Sequence, residues 1–177
     1  LRETGQFGFL FESVEGGDRA ARYSFLGAQP ILEVIAHGNQ VELRDHNDPS
    51  NSKTYTSDDP LGEMQTLTDP VELGSVPGLP DFTGGWVGHA GYDAVRYLEG
   101  DQLPDPPKDD RGLPDLHMQL YHDVIAFDHV QKCVLVITHV KLSPGEDADA
   151  AYADANAKLD RLIQRLTTPP PTSSADG

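Results

Sequence analysis

From Phe9 to Asp45 apolar and polar residues alternate in short runs: FLFESV, ARYSFLG, ILEVIAH and QVELRD, the last two meeting at Gly38-Asn39. A period of two marks half-buried strands, so this stretch reads as an antiparallel meander. His46 to Asp59 is polar and turn-rich and reads as a surface loop. Asp59-Pro60 then supplies an N-cap and first helical position for a short helix bearing Leu61, Met64 and Leu67. After the irregular link VPGLPDFTGG, the run GGWVGHAGYDAVRYLE reads as a Gly-rich strand entering a helix, with Ala94, Val95 and Leu98 at helical spacing. DQLPDPPKDDRGLPD is loop by its Pro and Asp content. MQLYHDVIAFD and KCVLVITHV are two β-rich runs joined as a hairpin by His129, Val130 and Gln131. In EDADAAYADANAKLDRLIQRL, a stripe of Ala148, Ala151, Tyr152, Ala155, Leu159, Leu162, Ile163 and Leu166 predicts an amphipathic helix. Its acids come early and Arg161 and Arg165 late, as the helix dipole favours. Residues 169–177 have linker composition. Hairpin strands with segregated helices predict an α+β fold with largely antiparallel sheets, and the lack of alternating βαβ units disfavours a doubly wound fold.

Composition narrows the function classes. At 177 residues and 37% hydrophobic, the chain can bury one sizeable core, and no apolar run approaches the ~20 residues of a membrane helix. Its start, LRETGQFGFLFES, has neither an initiating Met nor the pattern of a signal peptide, so the chain is expected to be a piece of something longer. With 29 acidic against 13 basic residues the net charge is -16, which excludes nucleic acid and anionic membrane as expected partners. The acids are scattered, and a shell so acidic and so poor in Lys suggests adaptation to high salt, where screening reaches ~3 Å at 1 M. A single cysteine, Cys133, rules out a disulfide within the chain, suits a reducing cytoplasm and reads as a small buried hydrophobe.

Several chemical signals are weak. Gly85, Gly88 and Gly91 have the wrong spacing for a dinucleotide loop and no P-loop lysine follows, so close backbone packing in a strand explains them better. His117, His122 and His129 form no metal-ligand pattern, and Ser13 and Ser24 lack a nucleophile elbow. Glu12, Ser13, Arg22 and Ser24 differ, because a strand, a Gly-Gly loop and a returning strand can bring them to one rim. A carboxylate, a hydroxyl and a guanidinium together suit a zwitterionic amino acid: ammonium to Glu, carboxylate to Arg and Ser. From spacing alone, a structural cross-strand Glu–Arg pair is the plainer reading.

The segments ESVEGG, RYSFLG, FTGGWVGHAGYDAVRYLE and VIAFDHVQKCVLVI, in that order over roughly residues 7 to 165, resemble the N-terminal region of anthranilate synthase component I. They also resemble its relative aminodeoxychorismate synthase component I. Ala20 and Ala21, where Trp and Gly are frequent, and His89, where an aromatic is common, depart from the pattern. The resemblance implies two antiparallel sheets packed as a sandwich with helices outside, residues 1–168 forming the N-terminal domain. It implies an enzyme that makes anthranilate and pyruvate from chorismate and from ammonia supplied by a glutamine amidotransferase subunit. Chorismate and Mg²⁺ would then be held by a C-terminal half absent from this chain, which contributes no catalytic or metal-binding residue and is expected to be inactive alone. It further implies that this region holds the feedback inhibitor tryptophan, with Glu12, Ser13, Arg22, Tyr23 and Ser24 lining the pocket. Aminodeoxychorismate synthase and a free-standing amino-acid-binding module remain alternatives.

Overall fold

The computed structural model describes residues 8–12, 22–69, 71–104 and 108–168. Ser13, Ala20, Ala21 and the expected linker at 169–177 lie outside the described residues.

Among the described residues, nine strands form two antiparallel sheets. They are β1 (Gly8–Glu12), β2 (Tyr23–Ala28), β3 (Leu32–His37), β4 (Gln40–Asp45), β5 (Lys53–Thr56), β6 (Gly85–Ala90), β7 (Leu116–Tyr121), β8 (Asp123–Asp128) and β9 (Cys133–Thr138). The first sheet runs β1-β2-β8-β9 and the second β5-β4-β3-β7-β6. Three helices accompany them: α1 (Pro60–Thr68), α2 (Arg96–Glu99) and α3 (Ala148–Thr167). This is the expected α+β class, with the sheets face to face and helices outside.

The expected meander is two hairpins in two different sheets. β2 pairs with β1 and β8, while β3 pairs with β4 and β7. The break falls at Gln29, whose φ is 60°, and at Pro30, which has no N–H to offer a ladder. The run MQLYHDVIAFD divides in the same way at His122, so that β7 completes the second sheet and β8 the first. The loop expected at His46 to Asp59 contains a 3₁₀ turn at Pro49–Asn51 and the edge strand β5, registered on β4. That strand escaped notice because KTYT is polar apart from Tyr55, the residue it turns toward the core.

The second sheet's apolar face holds Val34, Ala36, Val41, Leu43 and Leu116, all buried, and α1 closes it with Leu61, Met64 and Leu67. Asp59 caps α1 by accepting from the Gly62 N–H at 2.9 Å, with Pro60 at the first turn as the sequence suggests. The opposite face meets the first sheet through aromatic rings: Phe9 lies 4.8 Å from Tyr121, and Phe82 packs edge-on to Phe25 at 5.3 Å. On the first sheet's outer face α3 packs along β9, tied by a 2.7 Å ion pair from Lys158 to Asp123.

Asp147 caps α3, and Ala151, Ala155, Leu159 and Leu162 are partly buried. Tyr152, Ile163 and Leu166 of the expected stripe are instead 70%, 46% and 45% exposed. Leu98 on α2 is 74% exposed as well, and Cys133 is half-buried at the start of β9 rather than in the core. Gly88 meets the expectation of close packing: a Cβ there would collide with the His117 carbonyl on β7.

Candidate functional site

β1 and β2 run side by side with Glu12 opposite Ser24. Residues directly paired across an antiparallel ladder share a face, so Glu12 and Ser24 lie on the outer face of the first sheet together with Phe127 of β8. Glu12 is exposed and has no side-chain partner among the described residues. Ser24 is buried, and its Oγ lies 2.8 Å from Nε2 of His129, the first residue after β8.

Arg22 precedes β2, and its cross-strand partner is Asp128, the last residue of β8, rather than Glu12. Nε and Nη2 both donate to Oδ2 of Asp128, at 3.1 and 2.8 Å. The Asp128 side chain is only 2% exposed, and its other oxygen accepts the backbone N–H groups of Val130 and Gln131, both at 2.9 Å. Bonds from Arg22, helped by those two N–H groups, hold the Asp128 carboxyl down from 3.8 to about 2 against the opposing effect of burial. The guanidinium also lies 4.8 Å over the Tyr23 ring, whose hydroxyl is pushed above its ordinary range by burial. By strand alternation Tyr23 and Asp128 face inward, opposite to Ser24.

The structure therefore brings Glu12 and Ser24 together on one face, while Arg22, at the start of β2, is engaged by Tyr23 and Asp128, which face the other way. Asp128 and His129 were not singled out in sequence as members of this cluster. An Asp opening a turn is a visible signal, but the pairing of β2 with β8, about a hundred residues on, is not.

Two other polar features lie elsewhere. On the inner face of the second sheet, Glu33 is fully buried and accepts from His117 (2.6 Å), Gln119 (3.2 Å) and Arg44 (3.1 Å), with His46 at 3.5 Å. Burial pushes its carboxyl up, but the bonds from His117 and Gln119 and the charge of Arg44 outweigh that and leave it below the ordinary range. At the seam where the chain passes between sheets, a cleft of about 350 Å³ is lined by Ile31, Leu67, Trp86, Tyr121 and His139 among others. Trp86 Nε1 is buried with no acceptor among the described residues, and His139 Nε2 lies 2.9 Å from the Thr83 carbonyl. No group of three His, Cys, Asp or Glu among the described residues is arranged to hold a metal ion, and no helix among them is long and apolar enough to cross a membrane.

No protein-family model matches the chain. It is similar to the chloroplastic anthranilate synthase alpha subunit 1 of Oryza sativa subsp. indica, 43% identical over 164 residues that cover 89% of this chain and 28% of that protein. The chloroplastic alpha subunit 1 of Arabidopsis thaliana is 40% identical over 177 residues, covering 96% of this chain and 30% of that one. Anthranilate synthase component 1 of Acetivibrio thermocellus is 35% identical over 158 residues, covering 89% and 31%. Among solved structures, anthranilate synthase component I from Streptococcus pneumoniae TIGR4 superimposes with a TM-score of 0.63 at 24% identity, over 89% of this chain and 32% of that one, a likeness of fold. The chain thus spans about three tenths of the length of the relatives it matches.

Proposed function

The chain is a relative of anthranilate synthase component I over about three tenths of that protein's length, and on that premise we propose that it is the regulatory and scaffolding N-terminal region of such an enzyme. The complete protein would convert chorismate and ammonia to anthranilate and pyruvate in tryptophan biosynthesis, with ammonia delivered by a glutamine amidotransferase subunit. In this reading Mg²⁺ and chorismate would be held by the portion of the relatives that this chain does not match. The half-buried single cysteine supports a reducing, cytoplasmic setting, the plant relatives being named as chloroplastic.

In this reading, Glu12, Ser13, Arg22, Tyr23 and Ser24 receive tryptophan as the feedback inhibitor. The observation that carries it is Arg22: its Nε–Nη2 edge is fixed on Asp128, and the Ser24 hydroxyl and the Glu12 carboxylate lie on the strand pair that begins beside it, Nη1 and Glu12 having no partner among the described residues. A guanidinium and a hydroxyl suit a ligand carboxylate, and Glu12 suits its ammonium.

The test is the tryptophan inhibition constant of the complete enzyme. Glu12→Lys reverses the charge that meets the ammonium and Arg22→Ala removes the carboxylate donor. A charge-assisted contact contributes roughly 1.5–3 kcal/mol, so each variant is expected to raise the constant about tenfold to a hundredfold. A parental constant in both would overturn the assignment.

A further inference from the structure

The turn after β8 holds two of the groups that the proposed amino-acid site needs, and it holds them by different means. Each Asp128 oxygen takes two donors: Oδ2 receives Nε and Nη2 of Arg22, and Oδ1 receives the N–H groups of Val130 and Gln131. Four bonds fill the acceptor capacity of a carboxylate. With its side chain 2% exposed, Asp128 is held in place by its own turn. The next residue, His129, donates its backbone N–H to the Arg22 carbonyl at 2.8 Å and sets its Nε2 2.8 Å from Ser24 Oγ. Both ends of the Arg22 residue are thus pinned by one turn, while its side chain remains 38% exposed.

A guanidinium carries five N–H donors, and Asp128 uses two of them. Among the described residues, the donors without an acceptor belong to Nη1 and to the second N–H of Nη2, which form a planar fork of the kind that meets a carboxylate with two parallel bonds. Free arginine side chains lose rotamer freedom when a ligand orders them; here the bonds to Asp128 supply part of that ordering in advance, and the Tyr23 ring supports the guanidinium plane at 4.8 Å.

We propose that Asp128 is a positioning residue for the amino-acid site: it holds Arg22 with its outer fork turned away from Asp128, so that the fork reads the α-carboxylate of a zwitterionic ligand. This rests on the amino-acid reading of Arg22 given above. Asp128 touches no ligand itself. Its effect is confined to the carboxylate end, which separates it from a role in stability alone.

The experiment measures dissociation constants of the full-length protein for L-tryptophan and for tryptamine, which has the same indole and ammonium but no carboxylate. Asp128→Asn keeps an oxygen for the two backbone N–H groups and turns an amide donor toward Arg22, so the guanidinium is released. Expected is a loss of about tenfold or more in L-tryptophan affinity with tryptamine affinity unchanged, and no additional loss when Asp128→Asn is combined with Arg22→Ala. Asp128→Ser, whose hydroxyl can accept from the same turn, serves if the Asn variant does not fold. Equal losses for both ligands, or full L-tryptophan affinity in Asp128→Asn while Arg22→Ala loses it, would overturn the positioning role. Arg22→Ala that binds L-tryptophan like the parent, or a parent that does not bind it, would instead sink the amino-acid reading on which this one stands.

Discussion

Glu33 on β3 and His117 on β7 meet at 2.6 Å, a fully buried acid and a partly exposed imidazole on the inner face of the second sheet. Glu33 accepts from His117, Gln119 and Arg44, with His46 nearby at 3.5 Å. A buried charge is tolerable in such a place because it is partnered.

Removing that acid should therefore cost more than its size suggests. Glu33→Ala takes a shared acceptor from His117, Gln119 and Arg44 at once and is expected to lower unfolding free energy by about 3 kcal/mol, near the lower end for broken buried pairs because Arg44 keeps its bonds to Glu42 and is partly exposed. Urea denaturation of parent and variant at neutral pH measures it. A change below about 1 kcal/mol would show that the cluster adds little net stability.

Acid stability should carry the mark of Asp128. Its carboxyl is held at about 2 against an ordinary 3.8, so the folded state binds the proton less readily than the unfolded one. The resulting stabilisation is complete above the ordinary value and is lost as pH falls from about 4 toward 2. Glu33, also depressed, acts in the same direction. Between pH 5 and 2 the parent is expected to lose stability steeply, and Asp128→Asn to start lower but fall with a shallower slope. Parallel slopes would contradict the assigned pairing.

Gly88 sits where β6 and β7 approach too closely for any side chain on that face. Gly88→Ala places a Cβ into the His117 carbonyl and the Met118 Cα, neither of which is the end of a flexible side chain, so one strand must shift. The expected loss is about 3 kcal/mol or failure to fold, read as thermal midpoint. Gly38→Ala makes a useful contrast: its φ of 54° brings strain, but a Cβ there meets nothing within 4 Å, so a milder loss is expected.

Salt should stabilise the chain. With 29 acids against 13 basic residues, repulsion among surface carboxylates opposes compaction, and screening shortens its reach from about 10 Å at 0.1 M to about 3 Å at 1 M. The thermal midpoint is expected to climb as KCl rises from dilute to molar. A flat or falling midpoint would remove the argument for a high-salt adaptation.

What could be read from the residues alone was local. Asp59-Pro60 announces α1 because both the cap and the first-turn proline are coded within two positions, and the β8–β9 hairpin shows itself in two β-rich runs flanking a short polar turn. The sheet assignment of each strand was hidden, since the alternation in FLFESV or QVELRD is the same whichever sheet a strand joins. Gln29 and His122, where the chain changes sheets, carry no distinctive signal apart from Pro30. The site divides along the same line. The proximity of Glu12 and Ser24 follows from a hairpin that the sequence suggests, whereas the engagement of Arg22 by Asp128 depends on a strand pairing between residues 106 positions apart.

The two changes of sheet also govern the order in which the chain can fold. β2 waits for β8 and β3 waits for β7, so a nascent chain that has emerged only through β6 owns the β1–β2 hairpin, the three strands β3-β4-β5 and neither finished sheet. Isolated hairpins are marginal in water, and long-range pairings must meet their loop-closure entropy before any burial rewards them. Completion of both sheets therefore belongs late in synthesis, once β7 to β9 have been made. Until then the edges of β2 and β3 that await β8 and β7 are uncovered, and that is the interval in which the chain is most open to aggregation or to chaperone capture.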